Sequence, residues 1–175
     1  MGRVAPSAAG PLLPPHPLRA DHVLDGFECG EEALDTWLKR RALRNQGSGA
    51  SRTYVVSSGG AVVGYHSLAV GSVIRDEAAR PLQRNMPDVI PVMLLARLAV
   101  HSEHKGRGVG AALLQDAIRR TLQVSETAGV AALLAHAKHE TAALFYERHG
   151  FRRSPVRPLT LMLALREMEA GLGGG

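Results

Sequence analysis

The order of periodic segments predicts an α/β or α+β domain built on a mixed sheet. Three observations carry that prediction. Pro91 to Val100 is a nearly continuous apolar run, the mark of a strand covered on both faces. Around it lie stretches with helical hydrophobic periodicity. Residues 53–70 show two strand-like runs joined by Gly59-Gly60, the signature of a β-hairpin.

In chain order, residues 1–17 are rich in Pro, Gly and Ala and read as a loose leader. The domain proper is expected over 18–168, and 169–175 as a flexible, glycine-ended tail. From Glu31 to Asn45, Leu34, Trp37, Leu38 and Ala42 recur on one helical face, with Lys39, Arg40 and Arg44 off it. Gln46-Gly47-Ser48-Gly49 ends that helix. Thr53 to Ser57 and Ala61 to Val70 are the hairpin strands, and the polar, Pro-interrupted stretch Arg75 to Asp88 is a connecting excursion. A second amphipathic helix runs from Gly108 to about Gln123, burying Val109, Ala112, Leu113, Ala117 and Leu122. Val130 to Ala135 is another buried strand. Glu140 to His149 forms a short helix closed by Gly150, a residue type that tolerates positive φ. Phe151 onward, above all Leu159 to Leu165, supplies the last strands.

Composition narrows the function classes. A chain of 175 residues with 45% hydrophobic and 21% charged residues is one globular domain. Aromatics are only 4%, so Val, Leu and Ala must fill the core. The single cysteine, Cys29, excludes an intrachain disulfide framework and fits a reducing cytoplasm. It follows the acidic Glu28, so it reads as a packed thiol and not as a nucleophile. No apolar run approaches the ~18 residues a membrane helix requires, and the N-terminus lacks the features of a secretory signal. The net charge of +5 suits an acidic partner, nucleic acid or phosphorylated ligand, and equally a solvated cationic surface.

The stretch from Val100 through His101, His104, Lys105, Gly106, Arg107, Gly108, Val109 and Gly110 to Ala111 joins a buried strand to a helix. Glycines let backbone approach a ligand closely, and the free N–H groups and dipole of a helix start form an anion site. Lys105 and Arg107 add positive charge there. A diphosphate fits on these grounds, although the spacing matches neither the dinucleotide fingerprint nor the P-loop. The pairs His101/His104 and His136/His139 lack an accompanying acid or Cys cluster, so no metal site is expected. Arg97 is the sole charge between Val92 and Val100, sharing a strand face with Leu95 and Ala99. A nearly buried arginine is either ion-paired or faces a cleft.

The Lys105–Gly110 loop resembles motif A of GNAT acetyltransferases, with Lys105, Gly108 and Gly110 in the key positions and Lys105 replacing the usual Gln or Arg. Phe145-Tyr146-Glu147-Arg148-His149-Gly150-Phe151 resembles the downstream Tyr-x-x-x-Gly-Phe signature of the same superfamily. The resemblance implies the GNAT fold: a mixed, mostly antiparallel sheet with a splayed central strand pair and helices on both faces. It implies acetyl-CoA as acetyl donor, the pantetheine arm on the backbone of Leu98, Ala99 and Val100, and the diphosphate on the amides of Gly106 to Ala111. Tyr146 is then the acid that protonates the departing CoA thiolate, a role suited to a phenol near pKa ~10.

Phe27-x-Cys29-Gly30, Leu34-Asp35-x-Trp37-Leu38, Gly64-Tyr65 and Arg97-Leu98-Ala99-Val100 are similar to GNAT toxins of bacterial toxin–antitoxin pairs. That likeness implies acetylation of the α-amine of aminoacyl-tRNA and neutralisation by a small ribbon–helix–helix antitoxin, with a homodimer as a further assembly. It also gives Arg97 a catalytic place, steering the tRNA terminus or the cofactor. His101 stands where the toxins often have Asp, and Glu140 where the superfamily often has Asn. No Asp or Glu lies in residues 91–100, where many lysine acetyltransferases carry a base. A lysine amine near pKa ~10.4 needs one, whereas an α-amine near ~7.7–8.0 is partly neutral already. Arg41, Arg44, Arg75, Arg84, Arg119, Arg120, Lys138, Arg148, Arg152 and Arg153 are the basic residues consistent with a tRNA acceptor. The alternative acceptor is a small amine, peptide or protein N-terminus.

Overall fold

A computed structural model describes residues 10–173. The chain runs β1 (Leu12–Pro17), α1 (Glu32–Arg40), α2 (Ala42–Ser48), β2 (Arg52–Ser58), β3 (Ala61–Ile74), α3 (Arg80–Gln83) and β4 (Val89–Val100). It continues through α4 (Val109–Ser125), β5 (Ala132–His136), α5 (Glu140–Arg148), β6 (Arg152–Arg153), β7 (Thr160–Ala164) and α6 (Leu165–Gly173). The seven strands follow the order β1-β2-β3-β4-β5-β7-β6. The β4–β5 pair is parallel, and β1–β2, β2–β3, β5–β7 and β6–β7 are antiparallel. The sheet is mixed, as the order of segments predicts, and mostly antiparallel, as the GNAT resemblance implies. Two compact units divide the chain, one extending to Leu68 and adding Arg97–Asp116, the other taking Ala69–Ala96 and the residues from Ala117.

In the first unit, Gly59 and Gly60 adopt φ of 57° and 82° and turn β2 back into β3, as two-residue hairpins require. Adjacent residues then enter different cores, because successive strand side chains face opposite ways. Val55, Val62 and Tyr65 pack with Trp37, Leu38 and Ala42 of α1 and α2. Val56 and Val63 pack with Val109 and Leu113 of α4. Helices therefore cover both faces here. The register shifts from Val56↔Gly64 to Ser57↔Val62, leaving Val63 as a bulged residue. That bulge sets Val63 and Gly64 toward the same helix.

In the second unit, β4 and β5 pair at Met93↔Leu133, Leu94↔Leu134 and Leu95↔Ala135. The register ends there, with β4 still running on to Val100. Val73, Leu82, Ile90, Val92, Leu134 and Met162 form the apolar core of this unit.

Three expectations need correction. The helix read over Glu31 to Asn45 is two helices, broken at Arg41, whose φ of −119° leaves the helical range. The break lets Ala42 join Trp37 and Leu38 in one core. The stretch read as a loose leader contains β1, despite Pro14, Pro15 and Pro17. An edge strand tolerates prolines because one side of its ladder is unused, and a register shift between Leu13 and His16 accommodates them. The part of that leader over residues 1–9 lies outside the described residues. At the other end, α6 occupies what was read as tail, and Met168 is buried; residues 174–175 lie outside the described residues.

Two histidines latch β1. The Arg19 N–H donates to His22 Nδ1 at 2.9 Å, so the proton of neutral His22 sits on Nε2. That Nε2 lies 3.0 Å from His16 Nε2, and His16 Nδ1 lies 2.7 Å from the Pro14 carbonyl. The chain of bonds is complete only with both rings neutral. Burial first, then proximity to His16 and Arg19, lowers the His22 pKa, with Asp21 and the Arg19 backbone bond opposing. The unfolded chain therefore binds a proton that the fold rejects, and the latch's contribution is present above about pH 6.5 and lost below it. Thermal unfolding across pH 5–8 should show stability falling from about pH 6.5 downward. His22→Asn, which keeps an acceptor but cannot be protonated, should flatten that slope, and an unchanged slope would contradict the latch.

Candidate functional site

β4 ends at Val100, and residues 101–108 lead into α4. His101 caps a short 3₁₀ turn, its Nδ1 accepting the Glu103 N–H at 3.1 Å. Gly106 and Gly108 then adopt φ of 77° and 79°, a left-handed conformation that costs other residues roughly 1–2 kcal/mol each. No atom lies within 4 Å of a Cβ built at either position. Conformation, and not crowding, requires glycine here, and the space beside the loop is open. The Ala112 N–H reaches the Gly108 carbonyl at 3.0 Å, whereas the amides of residues 106–111 bond no backbone carbonyl among the described residues. Those free donors and the positive end of α4 make an anion cradle, with Arg107 exposed beside it.

Gly64 holds this helix end in place. A Cβ on Gly64 would lie 2.9 Å from Val109 Cγ1, 3.0 Å from Leu113 Cδ1 and 3.4 Å from the Ala99 carbonyl. The first turn of α4 therefore lies closer to the strands than any side chain at position 64 would permit.

A second set of contacts ties the loop to residues 26–30. The Ser102 N–H donates to the Glu28 carbonyl at 2.8 Å, His101 Nε2 lies 3.0 Å from the Gly26 carbonyl, and Lys105 Nζ donates to the Cys29 carbonyl at 2.5 Å. Lys105, read from sequence as part of the ligand loop, also makes a structural bond. Cys29 is buried and free, and burial pushes its thiol up to about 11. It is the packed thiol expected.

Arg97 makes no salt bridge or side-chain hydrogen bond among the described residues, so the structural ion pair considered for it is absent. Its guanidinium carbon lies 4.1 Å from the centre of the Trp37 ring. Trp37 in turn stacks on Tyr65 at 6.0 Å, and the Tyr65 hydroxyl donates to the Leu34 carbonyl at 2.7 Å. Burial lowers the Arg97 pKa. A half-buried guanidinium on an aromatic shelf, with its donors unengaged among the described residues, keeps a planar fork that matches an oxygen acceptor.

In the second unit, Tyr146 is buried on α5, its ring 5.3 Å from Phe151 and 5.4 Å from Phe145. Its hydroxyl bonds no described residue. Burial pushes the phenol up to about 12, so the proton stays in place across the neutral range. Nearby, Glu140 takes Arg153 through two bonds of 2.6 and 3.0 Å. His136 lies 3.0 Å from the Thr160 hydroxyl, and His139 caps α5 by accepting the Ala142 N–H. Among the described residues no three His, Cys, Asp or Glu side chains are arranged to hold a metal.

Sequence reasoning missed Trp37 as the shelf for Arg97, Lys105 as a tie, and Gly64 as a spacer. Only Gly64 carries a local signal, since glycine inside a strand marks close backbone approach.

Residues 49–153 match the acetyltransferase (GNAT) domain model. The chain belongs to the GNAT acetyltransferase family. It is an N-acetyltransferase that uses acetyl-CoA, and the open glycine cradle at the start of α4 suits the diphosphate of that donor. The GNAT chain is 46% identical over 147 residues to a tRNA-acetylating toxin of Mycobacterium tuberculosis, covering 84% of this chain and 89% of that one. Among solved structures, a tyrosine-to-phenylalanine mutant of KacT superposes with a TM-score of 0.86 at 27% identity, covering 91% of this chain and 98% of that one. AtaT complexed with acetyl-methionyl-tRNAfMet superposes with a TM-score of 0.84, also at 27% identity and with the same 91% and 98% coverage. No helix among the described residues is long and apolar enough to cross a membrane.

The Lys105 tie is testable. Lys105→Met keeps the stem and removes the donor, leaving the buried Cys29 carbonyl unsatisfied. Urea unfolding should report a loss of about 1–3 kcal/mol. A loss within ±0.5 kcal/mol, typical of an ordinary surface change, would show that the bond does not hold the loop.

Proposed function

We propose that this enzyme acetylates the α-amine of aminoacyl-tRNA and thereby blocks translation, acting in the cytoplasm where charged tRNA is used. The likeness to the tRNA-acetylating toxin of M. tuberculosis carries this reading. By the same analogy a small antitoxin neutralises it, as AtaR and KacA accompany AtaT and KacT in their solved complexes.

The chemistry is direct transfer. The acceptor nitrogen attacks the thioester carbonyl, the C–N bond forms and the C–S bond breaks. Backbone amides at the end of β4, Leu98 to Val100, face the pantetheine arm and the developing oxyanion, while the amides of Gly106 to Ala111 hold the diphosphate. Tyr146 gives its proton to the departing thiolate and regains one from water; the acceptor nitrogen releases its own proton to solvent. β4 carries no carboxylate over Val89–Val100 to serve as base. An α-amine tolerates that absence better than a lysine side chain does. Arg97, held on Trp37, takes an oxygen of the acceptor's terminus.

Incubation with labelled acetyl-CoA and total charged tRNA should place label on the aminoacyl group and none on deacylated tRNA. Tyr146→Phe should lower turnover by about 10²–10⁴-fold, the usual worth of a general acid, while acetyl-CoA affinity holds. Efficient acetylation of free small amines or peptides, with charged tRNA inert over the same time, would replace this reading with the alternative acceptor class.

A further inference from the structure

Arg97 carries a charge that no carboxylate answers among the described residues. Unpaired arginines such as Arg44 and Arg84 are exposed, where water and salt screen them; Arg97 is half-buried, and its field is screened less. Its guanidinium carbon lies 4.1 Å from the centre of the Trp37 ring. Trp37 stacks on Tyr65 with 13° between the ring planes, and Phe27 meets Tyr65 edge-on at 5.5 Å. The titratable groups around this stack do not neutralise the cation. Burial holds the Tyr65 phenol and the Cys29 thiol protonated, the thiol up to about 11. Asp35 Oδ1 accepts the Cys29 N–H at 2.9 Å. His101 meets Phe27 edge-on at 6.0 Å, its Nε2 lying 3.0 Å from the Gly26 carbonyl.

Its place on β4 gives that charge a target. Arg97 directly precedes Leu98 to Val100, the backbone read as the seat of the thioester arm. It shares a strand face with Ala99, which packs in one core with Trp37 and Tyr65. Strand residues rise about 3.3 Å each, so Arg97 springs from within roughly 10 Å of where the acceptor nitrogen meets the thioester carbonyl. In an aminoacyl ester the α-amine sits on the carbon next to the ester carbonyl. An arginine that takes that carbonyl oxygen therefore stands beside the amine, and a like charge so close disfavours the charged form. The same strand offers no carboxylate to remove the ammonium proton.

We propose that Arg97 takes the place of the missing base, its charge disfavouring the ammonium form of the seated acceptor so that the free amine faces the thioester. The role rests on the aminoacyl-tRNA reading and deepens it. The ammonium gives one proton to water, and the amine attacks the thioester carbonyl. The C–N bond forms, the C–S bond breaks, the nitrogen releases its second proton to solvent and the thiolate takes the Tyr146 proton. Trp37 is the positioning residue, since it holds the guanidinium without cancelling its charge. The device also selects among amines. An α-amine near ~7.7–8.0 becomes largely neutral at pH 7 after a shift of about one unit, whereas a lysine amine near ~10.4 stays charged.

The test uses the full chain and its Arg97→Gln and Arg97→Lys variants, with charged tRNA, from about pH 5.5 to about pH 8.5. Single-turnover rates with enzyme and acetyl-CoA saturating report the bound amine, and kcat/KM reports the free one. Tyr146 stays protonated throughout, because burial pushes its phenol up to about 12. In the wild type the single-turnover midpoint should lie about one unit below the kcat/KM midpoint. Arg97→Gln should bring the two midpoints together, so that the loss is about tenfold near pH 6 and nearly vanishes near pH 8.5. Arg97→Lys keeps the charge without the planar fork, so the low midpoint should stay while KM rises. His101→Gln, which removes the ring against Phe27, should leave the midpoint in place. An Arg97→Gln loss that is equal at every pH would overturn the role, leaving Arg97 a binding group and the substrate reading intact. Coincident midpoints in the wild type would do the same, and that result needs no variant to fold. A midpoint that moves with His101, or an Arg97→Lys profile matching that of Arg97→Gln, would also overturn it. A wild-type protein that acetylates no charged tRNA would remove both readings together.

Discussion

The structure turns on the absence of a side chain at position 64. A single carbon there would press to within 3.0 Å of both Val109 and Leu113, a separation that packed carbons essentially never show, since their optimum lies near ~3.5–4.0 Å. Because the position is bare, the start of α4 lies against the strands. The bulge at Val63 turns residues 63 and 64 toward that helix together. The α4 amides are thereby placed where the chain leaves β4, and the left-handed Gly106 and Gly108 bring the preceding backbone round without side chains in the way. The result is a helix start with unengaged N–H groups beside open space, the arrangement that suits an anion. Lys105, His101 and Ser102 secure the other side of the loop to residues 26–30.

Charge is divided as deliberately as space. In the second unit Arg75, Arg152, Arg153 and Arg157 are matched by carboxylates, Arg153 by two, whereas Arg80, Arg84, Arg119 and Arg148 are exposed without an ion pair among the described residues. Those on α1 and α2 are matched by none, and Arg97 rests on Trp37 instead of an acid. Surface ion pairs add little stability, a median near 0–1 kcal/mol. Their absence around one helix pair therefore costs the fold little. An unpaired, half-buried guanidinium is costlier to maintain, because burial opposes its charge.

Much of this was legible in the residues. The continuous apolar run marked β4, Gly59-Gly60 marked the hairpin, and strand, glycines and helix in succession marked the anion loop. Together with Tyr146 and its neighbours they pointed to an acetyltransferase, and the family match agrees. What escaped was non-local. Arg97 could be read as paired or unpaired, since only the fold decides which acids arrive beside it. The bond from Lys105 to the Cys29 carbonyl, 76 residues away, has no signal near it in sequence. β1 read as loose because local proline content argues against a strand, and only pairing with β2 overrides it. The break at Arg41 has no proline or glycine to signal it; burial of Ala42 decides it.

The central claim is that the free amides from Gly106 to Ala111 are the diphosphate seat of acetyl-CoA. Amide chemical shifts of ¹⁵N-labelled protein, followed during titration with acetyl-CoA and separately with inorganic pyrophosphate, address it most directly. The account predicts that the resonances of Gly106, Gly108, Val109, Gly110 and Ala111 move with both ligands, and saturate with acetyl-CoA at the concentrations that support turnover. Saturable acetyl-CoA binding that leaves those resonances in place would contradict it.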